Sequence, residues 1–205
     1  AIATVLTQFE DQSVISDWVY GTEGSTFATP GITAGVAKLG EWADKGYFPS
    51  QANGTKDDDA VAAFLAGEGL FTFSGTWRLS QIDEALGDDG GFMLLPPMEA
   101  GADRYASGAV QAPFTISAKS EHPDVAAFFL DYLIGPETAE NNLAGGWLPF
   151  GTDIPETSGG VTAQEAMESW EASLATGGLT PSLDWATPTM GPDAEFPGLQ
   201  ALIGG

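Results

Sequence analysis

The chain has 205 residues, enough for one large α/β domain or two small ones, and its 43% apolar content is ordinary for a protein with a real core. Its charge is not ordinary: 29 acidic residues against 6 basic ones give −23, a surface that repels nucleic acid and anionic membranes and makes a neutral ligand the natural expectation. With no cysteine there is no disulfide framework or thiolate metal site, a single histidine builds no His-rich metal site, and no apolar run is long enough to span a bilayer.

Ile2, Val5, Leu6 and Phe9 fall at helical spacing, and Val14, Ile15 and Trp18 mark a second short helix. After the loop Gly21–Ser25, Thr29-Pro30 is a helix start, with threonine as N-cap and proline in the first turn. The stripe Ile32, Val36, Leu39, Ala43 follows, and Gly46 ends that helix. Asp57-Asp58-Asp59 heads the next one, where carboxylates complement the positive helix end and need no calcium to explain them. Asp88-Asp89-Gly90-Gly91 reads as a turn, because it lacks the longer alternation of oxygen ligands in a calcium loop.

Between these acidic stretches, Ala60–Ala66 reads as a helix, Gly67 and Gly69 as a turn, and Leu70–Phe73 as a short strand buried on both faces. Thr76 is the N-cap expected for the helix that follows. Trp77 then lands where strand passes into helix, the place where ligands gather in an open α/β sheet. Its indole offers a flat apolar face and Arg78 a planar fork of donors, a pairing suited to a sugar with C–H faces and a rim of hydroxyls.

Phe92–Leu95 is the next expected strand, closed by Pro96-Pro97, and 106–117 is extended in character around Val110, Phe114 and Ile116. Pro123 opens a helix whose Ala126, Phe129, Leu130 and Leu133 are expected to face a core, and Pro136 opens another. Thr162-Ala163-Gln164-Glu165 has the form of a capping box, with Val161 and Ala166 as a staple and Met167, Trp170 and Leu174 as the buried stripe. Thr180 to Pro197 is loop-like and holds Trp185, before a terminal helix Leu199–Ile203. Trp18, Trp42 and Trp170 lie on helix stripes and are expected in the core.

Several of these segments carry a resemblance. Phe64-Leu65-Ala66-Gly67-Glu68-Gly69 followed by Phe71-Thr72-Phe73-Ser74-Gly75-Thr76-Trp77 resembles the F-x-x-G-x-(A/G)…G-x-W signature of extracellular solute-binding proteins, in the carbohydrate-binding, maltose-binding-protein-like branch that serves ABC importers. Gly91-Phe92…Leu95-Pro96-Pro97, the stretch Ile116–Leu133 and Gly146-Trp147-Leu148-Pro149 are similar to three further motifs of that family, in the same order.

The resemblance implies an α/β fold of periplasmic-binding-protein-like (type II) architecture, two lobes with a sugar held between them. Projected onto this chain, 1–105 is the ligand-facing second lobe, 106–150 the returning part of the first lobe with its crossing strands, and 151–205 a return to the second lobe. The first lobe's opening segment, the lipid-anchoring region and the last helix are expected elsewhere, so the sequence reads as a fragment in which strands near 106–118 lack their sheet partners. Such a segment packs differently, pairs with another chain or moves. The implied function is extracellular capture of a neutral mono- or oligosaccharide for an ABC import permease, without catalysis or cofactor. The protein would be tethered to the cell surface as a lipoprotein, or periplasmic, with no nucleic-acid partner and no membrane insertion by this segment.

Six residues are candidate ligand contacts: Gly75, Trp77, Arg78, Trp147, Asp184 and Trp185. For Trp77 the competing role is a core tryptophan at a strand end. Trp147, in a Gly-Gly-Trp-Leu-Pro loop that permits close backbone approach, and Trp185 border the cleft in the resemblance, and both equally fit a structural role. Asp184 accepts from hydroxyls or is simply solvated, and Arg78 has many carboxylates to pair with. The alternative function is an acidic secreted glycoside hydrolase or accessory carbohydrate-binding domain, since paired carboxylates are the machinery of glycoside hydrolysis.

Overall fold

The computed structural model describes residues 2–98, 101, 105–108, 114–145, 159–177 and 179–204. Along the chain its helices are α1 (Ile2–Leu6), α2 (Gln12–Val19), α3 (Pro30–Asp44), α4 (Asp57–Leu65), α5 (Leu79–Leu86), α6 (Pro123–Leu133), α7 (Pro136–Ala144), α8 (Val161–Ala175) and α9 (Phe196–Gly204). By its internal contacts the chain divides into two compact units, one made of Ala1–Thr72, Leu94–Ala109 and Trp170–Gly205, the other of Phe73–Met93 and Val110–Ser169.

The first unit is built on a helical core. Val5, Leu6, Ile15, Ile32, Leu39 and Leu183 are buried, with Phe9, Trp18, Phe27, Val36, Trp42, Leu95, Trp185 and Leu202 packed around them. These are the stripes that the 3.6-residue period marks on α1, α2 and α3. Gly35 lets α3 approach α1 closely: a Cβ there would meet Leu6 Cδ2 at 2.8 Å. The helix starts follow their caps. Asp11 accepts from Ser13 N at 2.8 Å, and Thr29 Oγ1 accepts from Ile32 N at 3.2 Å above Pro30. Gly46 and Gly67, at φ +71 and +81, stop α3 and α4 in a conformation that L side chains rarely adopt.

On the exposed side of α3, Glu41 bonds both Lys45 and Lys38. Those bonds, Lys45 first, hold its carboxyl down to about 2. A depressed folded pKa gives a contribution that is present above the unfolded value and lost as pH falls through the folded one. Glu41 is therefore expected to titrate near 2 by NMR at low salt, well below a free glutamate. Raising the ionic strength moves it back up, since an exposed pair is screened. A midpoint above 4 at low salt would contradict the pairing.

The second unit is held at the α5–α8 contact. Leu79, Ala163 and Ala166 are buried there with Phe92 against them. The expected capping box at Thr162 is not the one that forms, because α8 begins at Val161 and places Thr162 inside the first turn. The cap comes instead from a distant residue: Asp83 on α5 accepts from Thr162 N at 2.9 Å, and Glu165 turns away to accept from Phe92 N at 2.6 Å. Gly160 leaves the space that the Asp83 carboxyl occupies. Asp83→Ala is expected to lower stability by about 1 kcal/mol, the usual cost of a lost N-cap, read as a shift in urea midpoint. Asp83→Asn retains the acceptor and most of the stability.

The α/β expectation is not confirmed among the described residues. Among the described residues no strand forms, and the only β contact is a single parallel bridge between Ser107 and Thr180. Leu70–Phe73, expected to be buried on both faces, leaves Leu70 88%, Phe71 78% and Phe73 43% exposed, and Phe92–Leu95 also forms no strand. A strand is defined by its partner, and the described part of the chain supplies none for these runs.

Two helix faces differ as well. On α6, Ala126, Leu130 and Leu133 are half-buried, but Phe129 joins Val125, Phe128 and Tyr132 on the exposed side. On α8 the buried row runs Thr162, Ala163, Ala166, Met167 and Ser173, so Leu174 lies one position round and is exposed. Residues 109–113 of the expected extended segment 106–117, and residues 151–158, lie outside the described residues.

Candidate ligand-binding site

Within the second unit, Gly75, Trp77 and Arg78 sit on one short turn. Arg78 N donates to Gly75 O at 3.1 Å, closing a 3-10 turn over Thr76–Arg78, and α5 starts only at Leu79. Gly75, not Thr76, is therefore the residue that precedes the helical turns, and it offers no side chain as a cap. Leu79 is buried and anchors the turn from below.

Trp77 is 50% exposed, which excludes the role of a sealed core tryptophan at a strand end. Its six-membered ring lies over Gly75: Cε3, Cζ3 and Cη2 all fall within 2.5 Å of where a Gly75 Cβ would stand. Arg78 is half-buried, and its Nη1 donates to Gln81 Oε1 at 3.4 Å, one turn along α5. The guanidinium is thus engaged along its own helix.

Asp184 and Trp185 belong to the first unit, on a 3-10 turn Leu183–Trp185. Trp185 is half-buried against the helical core and Asp184 is exposed. Glu195, on the π-helical turn Gly191–Glu195, has its carboxyl pushed up by burial and, less, by the negative charge of Asp184. Trp147 lies outside the described residues. The described part of the first unit also holds a cavity of about 610 Å³, lined by Phe48, Pro49, Ser50, Asn53 and Ile203 among others, which includes none of the predicted contacts.

What the second unit offers is an accessible indole fixed at the head of a helix; the carboxylates of Asp184 and Glu195 belong to the first unit. Sequence reasoning placed Gly75 as a ligand contact and missed its relation to the indole; the signal was the Gly-x-Trp spacing, which puts the glycine under the ring. The described acidic side chains gather into no metal-binding group, and no described helix is long and apolar enough to cross a membrane.

No curated protein and no solved structure matches the chain. A family model does: that of bacterial extracellular solute-binding proteins, over residues 5–169. The matched span contains the Gly75–Arg78 turn and covers most of the chain, and the chain belongs to the bacterial extracellular solute-binding proteins.

Proposed function

We propose that this solute-binding chain captures a neutral mono- or oligosaccharide outside the cell for delivery to an ABC import permease. The observation that carries the reading is the half-exposed indole of Trp77, fixed on a helical turn inside the family-matched span. An aromatic face presented in this way stacks on the C–H face of a pyranose, while hydroxyls are met by polar groups around it. The charge of −23 supports a neutral ligand, because an anionic solute would approach against the field of the whole molecule. Binding, not turnover, is what the family match supports.

The test is a thermal-shift screen of the full-length protein against neutral sugars, with amino acids, sugar phosphates and divalent cations beside them. A ligand that binds only the folded state raises the midpoint by mass action. A neutral sugar is expected to produce the shift. A response confined to the charged compounds would overturn the reading, and hydrolysis of a chromogenic glycoside panel would favour the hydrolase alternative.

A further inference from the structure

We propose that Gly75 is a positioning residue, the seat on which the Trp77 indole lies, and that it makes the indole a platform open on one face only. The positioning role rests on the reading of Trp77 as a sugar contact; the seat does not. The backbone at Gly75 has φ −113 and ψ 172, ordinary extended geometry that any L-residue adopts. Chain conformation therefore does not require glycine. Nor does capping, since serine, threonine or aspartate at that position would satisfy a helix donor and glycine does not.

The ring is what requires it. Cε3, Cζ3 and Cη2 are consecutive atoms of the indole, and all lie within 2.5 Å of the Cβ position. A ring meeting that point edge-on would hold one atom much nearer than its two neighbours. Three atoms at similar distance put the Cβ position over the ring face, so the indole lies flat across residue 75. Gly75 stands just before the helical turn in extended geometry, and the Trp77 side chain folds back over it. One face of the ring is thus covered by peptide and the other remains open, in keeping with its 50% exposure.

Such a ring has little freedom left to lose when a ligand stacks on it, and preorganisation of this kind favours binding. It also admits a sugar from one side only, so a single pyranose ring lies on Trp77 and none is sandwiched against its other face. Any side chain at 75 has to displace the indole before the backbone can keep its course.

The experiment uses NMR and calorimetry on the full-length protein. In the parent protein the Gly75 Hα resonances are expected upfield of coil values, from the ring current of the overlying indole, and to return to coil values in Trp77→Leu. Coil values in the parent would overturn the seat, and this readout needs no Gly75 variant to fold. With maltose as probe, Gly75→Ala is expected to weaken binding about tenfold, the size of one lost aromatic contact, with the far-UV spectrum and melting midpoint kept. Unchanged maltose affinity in Gly75→Ala would overturn the positioning role. If the upfield shift is present while Trp77→Leu binds maltose as the parent does, the seat stands and the sugar reading of Trp77 falls.

Discussion

Leu6→Ala is expected to lower the unfolding free energy of the first unit by about 2–5 kcal/mol, the range for deleting a fully buried leucine without full collapse of the cavity. Leu6 is 0% exposed. It sits on α1, a helix of five residues, too short to persist by its own propensity. Its order comes from packing, and at Gly35 the α3 backbone comes against the Leu6 side chain. Removing that side chain therefore empties the contact that holds α1 on α3. Against a total of about 5–15 kcal/mol for an ordinary domain, the loss is large. Urea unfolding reads it as a lower midpoint at unchanged slope. Leu174→Ala is the control: that leucine is 52% exposed, and its truncation should stay within about 0.5 kcal/mol. Equal midpoints for Leu6→Ala and Leu174→Ala would mean that the core does not lie where α1 meets α3.

The second large effect is on binding. Trp77→Ala in the full-length protein is expected to weaken sugar binding by about thirtyfold or more, the loss typical of a dominant aromatic anchor, while the melting midpoint moves little. The two readouts separate because half of the indole faces solvent, so its removal opens no sealed cavity. Trp77→Phe keeps a smaller ring over Gly75 and should retain part of the affinity. Calorimetry with the sugar found by the thermal-shift screen measures both variants. Unchanged affinity in Trp77→Ala would remove this residue from the site.

Much of the helical layout is legible in the sequence because its signals are local. Thr29-Pro30, Pro123 and Pro136 open helices, Gly46 and Gly67 close them, and the stripe from Ile32 to Leu39 faces the core as its period requires. The family was legible too, since its motifs are short and ordered, and the model match spans the same region. What failed was non-local. Whether Leu70–Phe73 becomes a strand depends on a partner elsewhere in sequence, and nothing within the segment reveals one. The cap of α8 comes from Asp83, 79 residues upstream of the amide it accepts from, so the nearer Thr162–Glu165 pattern misled. Ser173 is buried in place of Leu174 because a helix's rotation is set by what it packs on, and one position is within the play of an apolar stripe. At the site, Trp77 is half-exposed, Arg78 is engaged along α5 and Trp185 leans on the core.

The uncovered row on α6 has a consequence for handling the protein. Val125, Phe128, Phe129 and Tyr132 present greasy side chains to water, on a molecule whose copies are kept apart by like charge. Near the isoelectric point of 4.1 that mutual repulsion vanishes, and nothing then opposes the coalescence of these rows. Acidic buffers will precipitate the protein, concentrated salt will push it the same way by screening, and dilute buffer at neutral pH is the medium in which it stays dispersed.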